Sequence, residues 1–409
     1  MRFPHKGRGN GFLGGMTKQF SIVVFGQFFS QFGDNLFSIA IAWYLADLTG
    51  NPLLIGVVTA VFNVIPLCNT LTGAFADRHH KLPIMLSVTV CQIAVLGVGV
   101  AVLQFSSLPV VAALIAIQVA CRIAGCFFDP ALTVLIPQLV DEDALQQANG
   151  INQGVMLIGQ IFGTVVGGIL VSAMSPAVFL IVNMALYAVT LICLVVVRSM
   201  HRERMDDEDE DKGHWYAGLV FISKHAVLMH IVALAVIVNF ALGPILSMDA
   251  LWVSDYLHLS SSAFGGIEAA FVVGAILGSV LTGNIQVPFK AKMLGALFLM
   301  GLAVGVMSLF PSFAVSLAAN ALVGFAGGIV NVALYTIVQT YVPNEMLGRV
   351  SGALLALTTV SQPLGMAVGG AVADAVGLRI LFLAGAALTL VVAVGSLAVR
   401  WDLGELRKS

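Results

Sequence analysis

The stretch DPALTVLIPQLV, residues 129–140, returns as NVALYTIVQTYV at residues 331–342. Carried downstream, 129–168 lies on 331–370 without a gap. Ala131 falls on Ala333, Leu132 on Leu334, Leu145 on Leu347, Gly150 on Gly352, Gln160 on Gln362 and Gly163 on Gly365. The glycine pair 167–168 meets the pair 369–370, and LTG at 71–73 matches LTG at 281–283. Apolar composition alone produces chance identities, but not an unbroken register. Two halves of one topology imply a parallel internal repeat, with a pathway between them near the middle of a bilayer.

Composition agrees with lipid as the solvent. Of 409 residues, 59% are hydrophobic and 10% charged, against about 25% charged in a soluble domain. Apolar runs long enough to cross about 30 Å of hydrocarbon as helices recur at 19–47, 53–76, 83–105, 109–129, 148–173 and 176–198. After a polar interval they resume at 227–254, 262–285, 291–310, 312–339, 350–374 and 378–400. The expected fold is therefore an all-α membrane protein with twelve transmembrane helices in two pseudo-symmetric six-helix bundles. Cytoplasmic tails at 1–18 and 401–409 flank bundles at 19–198 and 226–400, joined by a cytoplasmic linker at 199–225.

Charge placement tests that count. With both termini cytoplasmic, Lys and Arg gather in the tails and inner loops, from Arg2 and Lys6 through Arg349 to Arg407 and Lys408. Arg379 alone falls outside, and Arg122 lies inside a span. A wrong number of spans would scatter the basic residues over both sides. The N-terminal segment is basic, but the apolar run after it is longer than the about 7–15 residues of a signal-peptide core. The linker is acidic from Asp206 to Asp211 and reads as solvated chain, with a short interfacial helix expected in WYAGLVFISKH. Cys68, Cys91, Cys121, Cys126 and Cys193 lie in apolar runs and read as small packing residues. No basic stripe suits a nucleic acid.

The first span, GQFFSQFGDNLFSIAIAWYL at 26–45, carries an acid where lipid should surround it. Gln27, Gln31, Asp34 or Asn35, and Ser38 step by three and four, which makes a polar stripe along one face. Facing acyl chains it would be very costly, so the stripe is expected to line a wet pathway. Burial favours a neutral carboxyl group and a nearby cation favours a charged one. Asp34 is therefore suited to exchange a proton against a cationic substrate or a conformational change. Glu268 in the eighth span and Asp249 late in the seventh are further proton or substrate candidates.

These features resemble the major facilitator superfamily over nearly the whole chain. The carriers are GAFADRHHK at 73–81, RIAGCFFDPAL at 122–132, GQIFGTVVGG at 159–168 and VPNEMLGRVSG at 342–352. Within the superfamily, SQFGDNLFSIAIAWYLADLTGNPLLIG at 30–56 is most similar to the third drug:proton antiporter family, which includes macrolide efflux proteins and the enterobactin exporter.

The resemblance implies roles residue by residue. Gly73, Asp77, Arg78 and Lys81 match the loop motif between helices 2 and 3, with His80 in place of its second glycine. In the family this loop forms a cytoplasmic gate and charge latch, which implies Asp77 at the head of span 11, Lys81 against Asp129, and Arg349 nearby. A carboxylate does complement a helix amino terminus, by about 0.3–1 kcal/mol. Gly159, Gly163, Gly167 and Gly168 reproduce the antiporter motif of span 5, with Thr164 where the family has proline. Glycines four apart also mean close helix packing in their own right. Arg122 matches the arginine of the helix 4 motif; it either tunes the proton-binding acid or pairs with Asp129.

The function implied is a proton-coupled exporter of amphipathic small molecules such as drugs, macrolides or siderophores, working by alternating access as a monomer in the cell membrane. No enzyme activity, cofactor, resident metal or nucleic acid is expected. A lysophospholipid transporter of the same superfamily is the alternative, since FGDN and ANG also resemble that group. A ferroportin-like metal exporter would need soft or imidazole ligands in the spans, and only His230 approaches one. An intramembrane aspartyl protease would need paired acids in motifs the chain lacks. A sensor or scaffold leaves the polar stripe unexplained.

Overall fold

The computed structural model describes residues 17–68, 72, 79–105, 109–141, 144–200, 217–284, 287–399 and 401. The described residues are almost wholly helical. Helix α1 covers Lys18–Thr49, α2 Pro52–Val64, α3 Lys81–Phe105, α4 Val110–Leu139, α5 Leu145–Val171 and α6 Pro176–Met200. The short α7, Ala217–Lys224, precedes α8 (Ala226–Leu251), α9 (Ser261–Leu281), α10 (Phe289–Leu309), α11 (Phe313–Tyr341), α12 (Asn344–Val376) and α13 (Leu378–Ala398). Among the described residues, ten helices are long and apolar enough to cross a membrane. Helix α1 is not one of them, because its glutamines, Asp34, Asn35 and serines dilute its hydropathy. The apolar helix Pro52–Cys68, which includes α2 and a closing 3-10 turn, is too short.

Local chemistry sets the ends. Gly50 takes φ +53° after α1, a conformation that favours glycine. Pro52 then opens α2, with the Asn51 side chain accepting the amide of Leu54 at 2.9 Å. Helix α4 runs ten residues past the expected end at 129, to Leu139, despite Pro130 and Pro137. Its continuation ALTVLIPQLV is apolar, and a proline in a long buried helix removes one hydrogen bond without ending it. The short helix expected after the linker forms as α7, with Ile222 buried against the base of α8 and α12.

The chain divides into two compact units. The first takes its described residues from the ranges 1–38, 68–167 and 173–208; the second from 39–67, 168–172 and 209–409. In the first, Phe20, Val23, Met85, Leu135 and Leu194 are among the residues of a core shared by α1, α3, α4 and α6. In the second, Leu228, Ile231, Met293, Ile337 and Val350 knit α8, α10, α11 and α12 together. Helices α9 and α11 approach backbone to backbone: a side chain at Gly274 or Gly278 would strike the carbonyls of Ala321 and Phe325. Val98, Ile192, Val280 and Val391 are more than half exposed, as lipid-facing residues are. Cys121, Cys126 and Cys193 are buried, whereas Cys68 and Cys91 lie exposed.

Candidate functional site

In the first unit the acid of α1 has specific partners. The Tyr187 hydroxyl on α6 donates a hydrogen bond to Asp34 Oδ1. One turn along α1, Ser38 Oγ donates to the Asp34 backbone carbonyl at 2.8 Å. The same oxygen accepts from Arg122 Nη2 at 3.1 Å and from Gln118 Nε2 at 3.3 Å, both on α4. The Arg122 guanidinium also attracts the Asp34 carboxylate electrostatically. Asp34 remains half-buried, not sealed. Three helices thus place one acid, one permanent cation and three neutral polar groups in a single network.

The expected stripe divides along two adjoining lines of α1. Asp34 and Ser38 turn toward α6 and α4. Gln31 and Asn35 begin at the contact with α5: a Cβ at Gly159 would stand 3.1 Å from Gln31 Cβ, and one at Gly163 would stand 2.9 Å from Asn35 Cβ. Asn35 Nδ2 donates to the Gln31 carbonyl at 2.8 Å, and both side chains stay half-buried. Gln27 is buried, and neither polar atom of its amide has a hydrogen-bond partner. Gly167 is buried on α5, while Gly168, which like Gly265 of α9 belongs to the second unit, would place a Cβ 2.7 Å from the Gly265 Cα.

Asp249 and Glu268 both belong to the second unit. Asp249 is in the last turn of α8 and only 1% exposed, and Glu268 on α9 is half-buried and acts on it electrostatically. Of the residues expected at a cytoplasmic gate, Gly73, Asp77 and Arg78 lie outside the described residues. Lys81 is buried at the head of α3, and Arg349, half-buried on α12, points a guanidinium nitrogen at Met346 Sδ, 3.8 Å away. Asp129 is exposed on α4, its backbone carbonyl accepting from Thr133 at 2.9 Å; no ion pair joins it to Lys81 among the described residues. No three His, Cys, Asp or Glu side chains group as metal ligands among the described residues.

The Major Facilitator Superfamily family model matches residues 23–353 and 228–408. The chain belongs to the major facilitator superfamily. The multidrug efflux pump Tap of Mycolicibacterium fortuitum is 25% identical over 380 residues, covering 89% of this chain and 91% of Tap. Macrolide efflux protein A of Streptococcus pyogenes is 22% identical over 376 residues, covering 90% and 93%. The crystal structure of the nucleoside transporter NupG shares the fold with a TM-score of 0.73 at 16% identity, covering 93% of this chain and 99% of that one. As a superfamily member with apolar helices of crossing length, the protein is a multi-pass protein of the cell membrane.

Sequence reasoning missed four polar residues of α4 and α6 that meet α1. Tyr187 supplies the donor to Asp34, Gln118 supports Ser38, and Asn183 lies fully buried one turn before Tyr187. Neither amide atom of Asn183 has a hydrogen-bond partner, and its oxygen occupies the space that Gly33 leaves by having no side chain. Thr190 Oγ1, a further turn along α6, donates to the Gly26 carbonyl at 2.9 Å. The signal was present: Asn183, Tyr187 and Thr190 repeat at four and three residues, as Gln118 and Arg122 do at four.

Proposed function

We propose that the protein exports amphipathic small molecules in exchange for protons, with Asp34 as the proton-carrying group. The observation that carries this reading is the Asp34 carboxyl group, half-buried in a helix of lipid-compatible composition and held between a neutral donor, Tyr187, and a fixed cation, Arg122. Such surroundings suit both protonation states: the neutral acid tolerates burial, and the anion keeps a phenol bond and a guanidinium. Gain or loss of a proton then reweights two conformations, as alternating access requires. Two of the relatives are named as efflux proteins, which supports the outward direction and an amphipathic cargo. Gln31, Asn35 and Gln27 serve as polar contacts on α1, and Gly159 and Gly163 hold α5 against it. The same reading takes α1 and α2 as spans too, giving twelve crossings with both termini cytoplasmic, and keeps Asp77, Arg78, Lys81, Asp129 and Arg349 as the inner latch.

The test is transport by the purified full chain in proteoliposomes under an imposed pH gradient. A labelled macrolide or a cationic dye should move against its own gradient, and a protonophore should stop it. Movement of labelled lysophospholipid alone would replace the cargo; transport indifferent to the pH gradient would remove the coupling.

A further inference from the structure

A pair of acids, Asp249 and Glu268, belongs to the second unit. Asp249 ends α8 just before a π-helical turn at Trp252–Tyr256, a local widening found often at functional sites. Both of its carboxyl oxygens are buried and have no hydrogen-bond partner. Donors on neighbouring residues serve other groups as well. Trp252 Nε1 donates to Ser316 Oγ at 3.1 Å, and the indole is packed between Tyr256 and Phe382. Asn320 flanks Asp249, yet its amide donates to the Ser316 carbonyl at 3.2 Å and points to Met307 Sδ at 3.7 Å.

Glu268 faces this spot from α9. The contacts of Gly274 with Ala321 and of Gly324 with Phe271 set α9 and α11 running parallel, in a register that brings Glu268 within about a turn of Asn320. Other charged or titratable groups on the elements around α8 are turned elsewhere. Asp255 and Tyr256 in the π turn, Asp374 on α12 and Arg379 on α13 are exposed, and Arg379 Nε donates to the Ser308 carbonyl at 3.1 Å. Lys224, His230 and Arg349 belong to the opposite end of α8 and its neighbours. No ion pair reaches Asp249 or Glu268 among the described residues.

We propose that Asp249 and Glu268 form a proton-binding site distinct from Asp34, in which the two carboxyl groups hold one proton between them. An ionised carboxylate accepts only, and with the flanking Asn320 amide turned to Ser316 and Met307 neither Asp249 oxygen has a hydrogen-bond partner. Two neighbouring acids without a cation answer that lack by sharing a proton: the acid form of one becomes the donor to the other. Asn320 also lines a small cavity with Leu242, Ile245 and Met307. In the exporter reading, on which its role in transport rests, this site carries a second proton. Its existence does not depend on that reading.

The experiment is pH-difference infrared spectroscopy on the purified full chain in lipid, which detects the carbonyl stretch of a protonated carboxyl group without any transport. At neutral pH the wild type should show this band. The Asp249→Asn, Glu268→Gln double variant should lose intensity equal to one proton, while Asp34→Asn keeps that intensity. In each single variant the remaining acid should lose its proton at a lower pH than the pair does, because its charged neighbour is gone. Unchanged intensity in the double variant, or a loss equal to two protons, would overturn the proposal. Asp34→Asn transport reports separately on the exporter reading, so the two failures are distinguishable.

Discussion

Asp34 survives in an apolar helix because its cost is matched by named neighbours. A carboxyl group at the middle of a membrane helix costs about 2.5–3.5 kcal/mol, and one hydrogen bond to a charged group returns about 1.5–3 kcal/mol. The Tyr187 bond alone is therefore of the right size, and Arg122 adds attraction. Tyr187→Phe removes that donor while keeping the ring that packs α6 on α1. Proton-driven transport should fall about ten- to hundredfold for a loss of about 1.5–3 kcal/mol, with the variant expressed and eluting normally. Wild-type rates in Tyr187→Phe would show that the bond is incidental. Asp34, Ser38 and Arg122 were legible in the sequence because a charge or a polar period inside an apolar run is conspicuous. Tyr187 and Asn183 were not, because one phenol or one amide in a span reads as packing until the facing helix is known.

Among elements, the contact of α1 with α5 depends on small residues. A Cβ at Gly163 would meet the Phe32 carbonyl at 2.6 Å, and carbonyls do not yield. Gly163→Val should cost about 1–3 kcal/mol through overpacking, seen as a lower melting temperature of the purified protein. Gly154, in the same helix, has nothing within 4 Å of its Cβ position. Gly154→Ala should leave stability unchanged or raise it by about 0.5–1 kcal/mol, since alanine costs a helix less than glycine. Equal effects at both positions would deny the special closeness of α1 and α5. Helix existence was largely legible, since runs of crossing length announce themselves. Ends were less so: α4 continues to Leu139 because its apolar tail outweighs two prolines, a balance that a rule stopping helices at proline misjudges. The polar stripe was legible as a period, but its division between α4, α5 and α6 was not, since a period does not say which neighbour stands on which side.

At the scale of the whole molecule, the repeat and the charge asymmetry make topology the first prediction. A reporter fused after Ser409 or within the acidic linker should be active only as a cytoplasmic reporter; a periplasmically active fusion at either place would break the twelve-span arrangement. The inner latch is tested by charge reversal. Lys81→Glu should impair transport, Asp129→Lys should too, and the double variant should recover part of the loss. Strictly additive losses would mean the two residues do not interact in any state. In the proposed exchange, coupling depends on Asp34 binding and releasing the proton. Its most direct test is substrate transport in proteoliposomes at an imposed pH gradient, with wild type and Asp34→Asn side by side. Proton-driven accumulation should vanish in Asp34→Asn while substrate binding and folding persist; accumulation at the wild-type rate in that variant would contradict the claim.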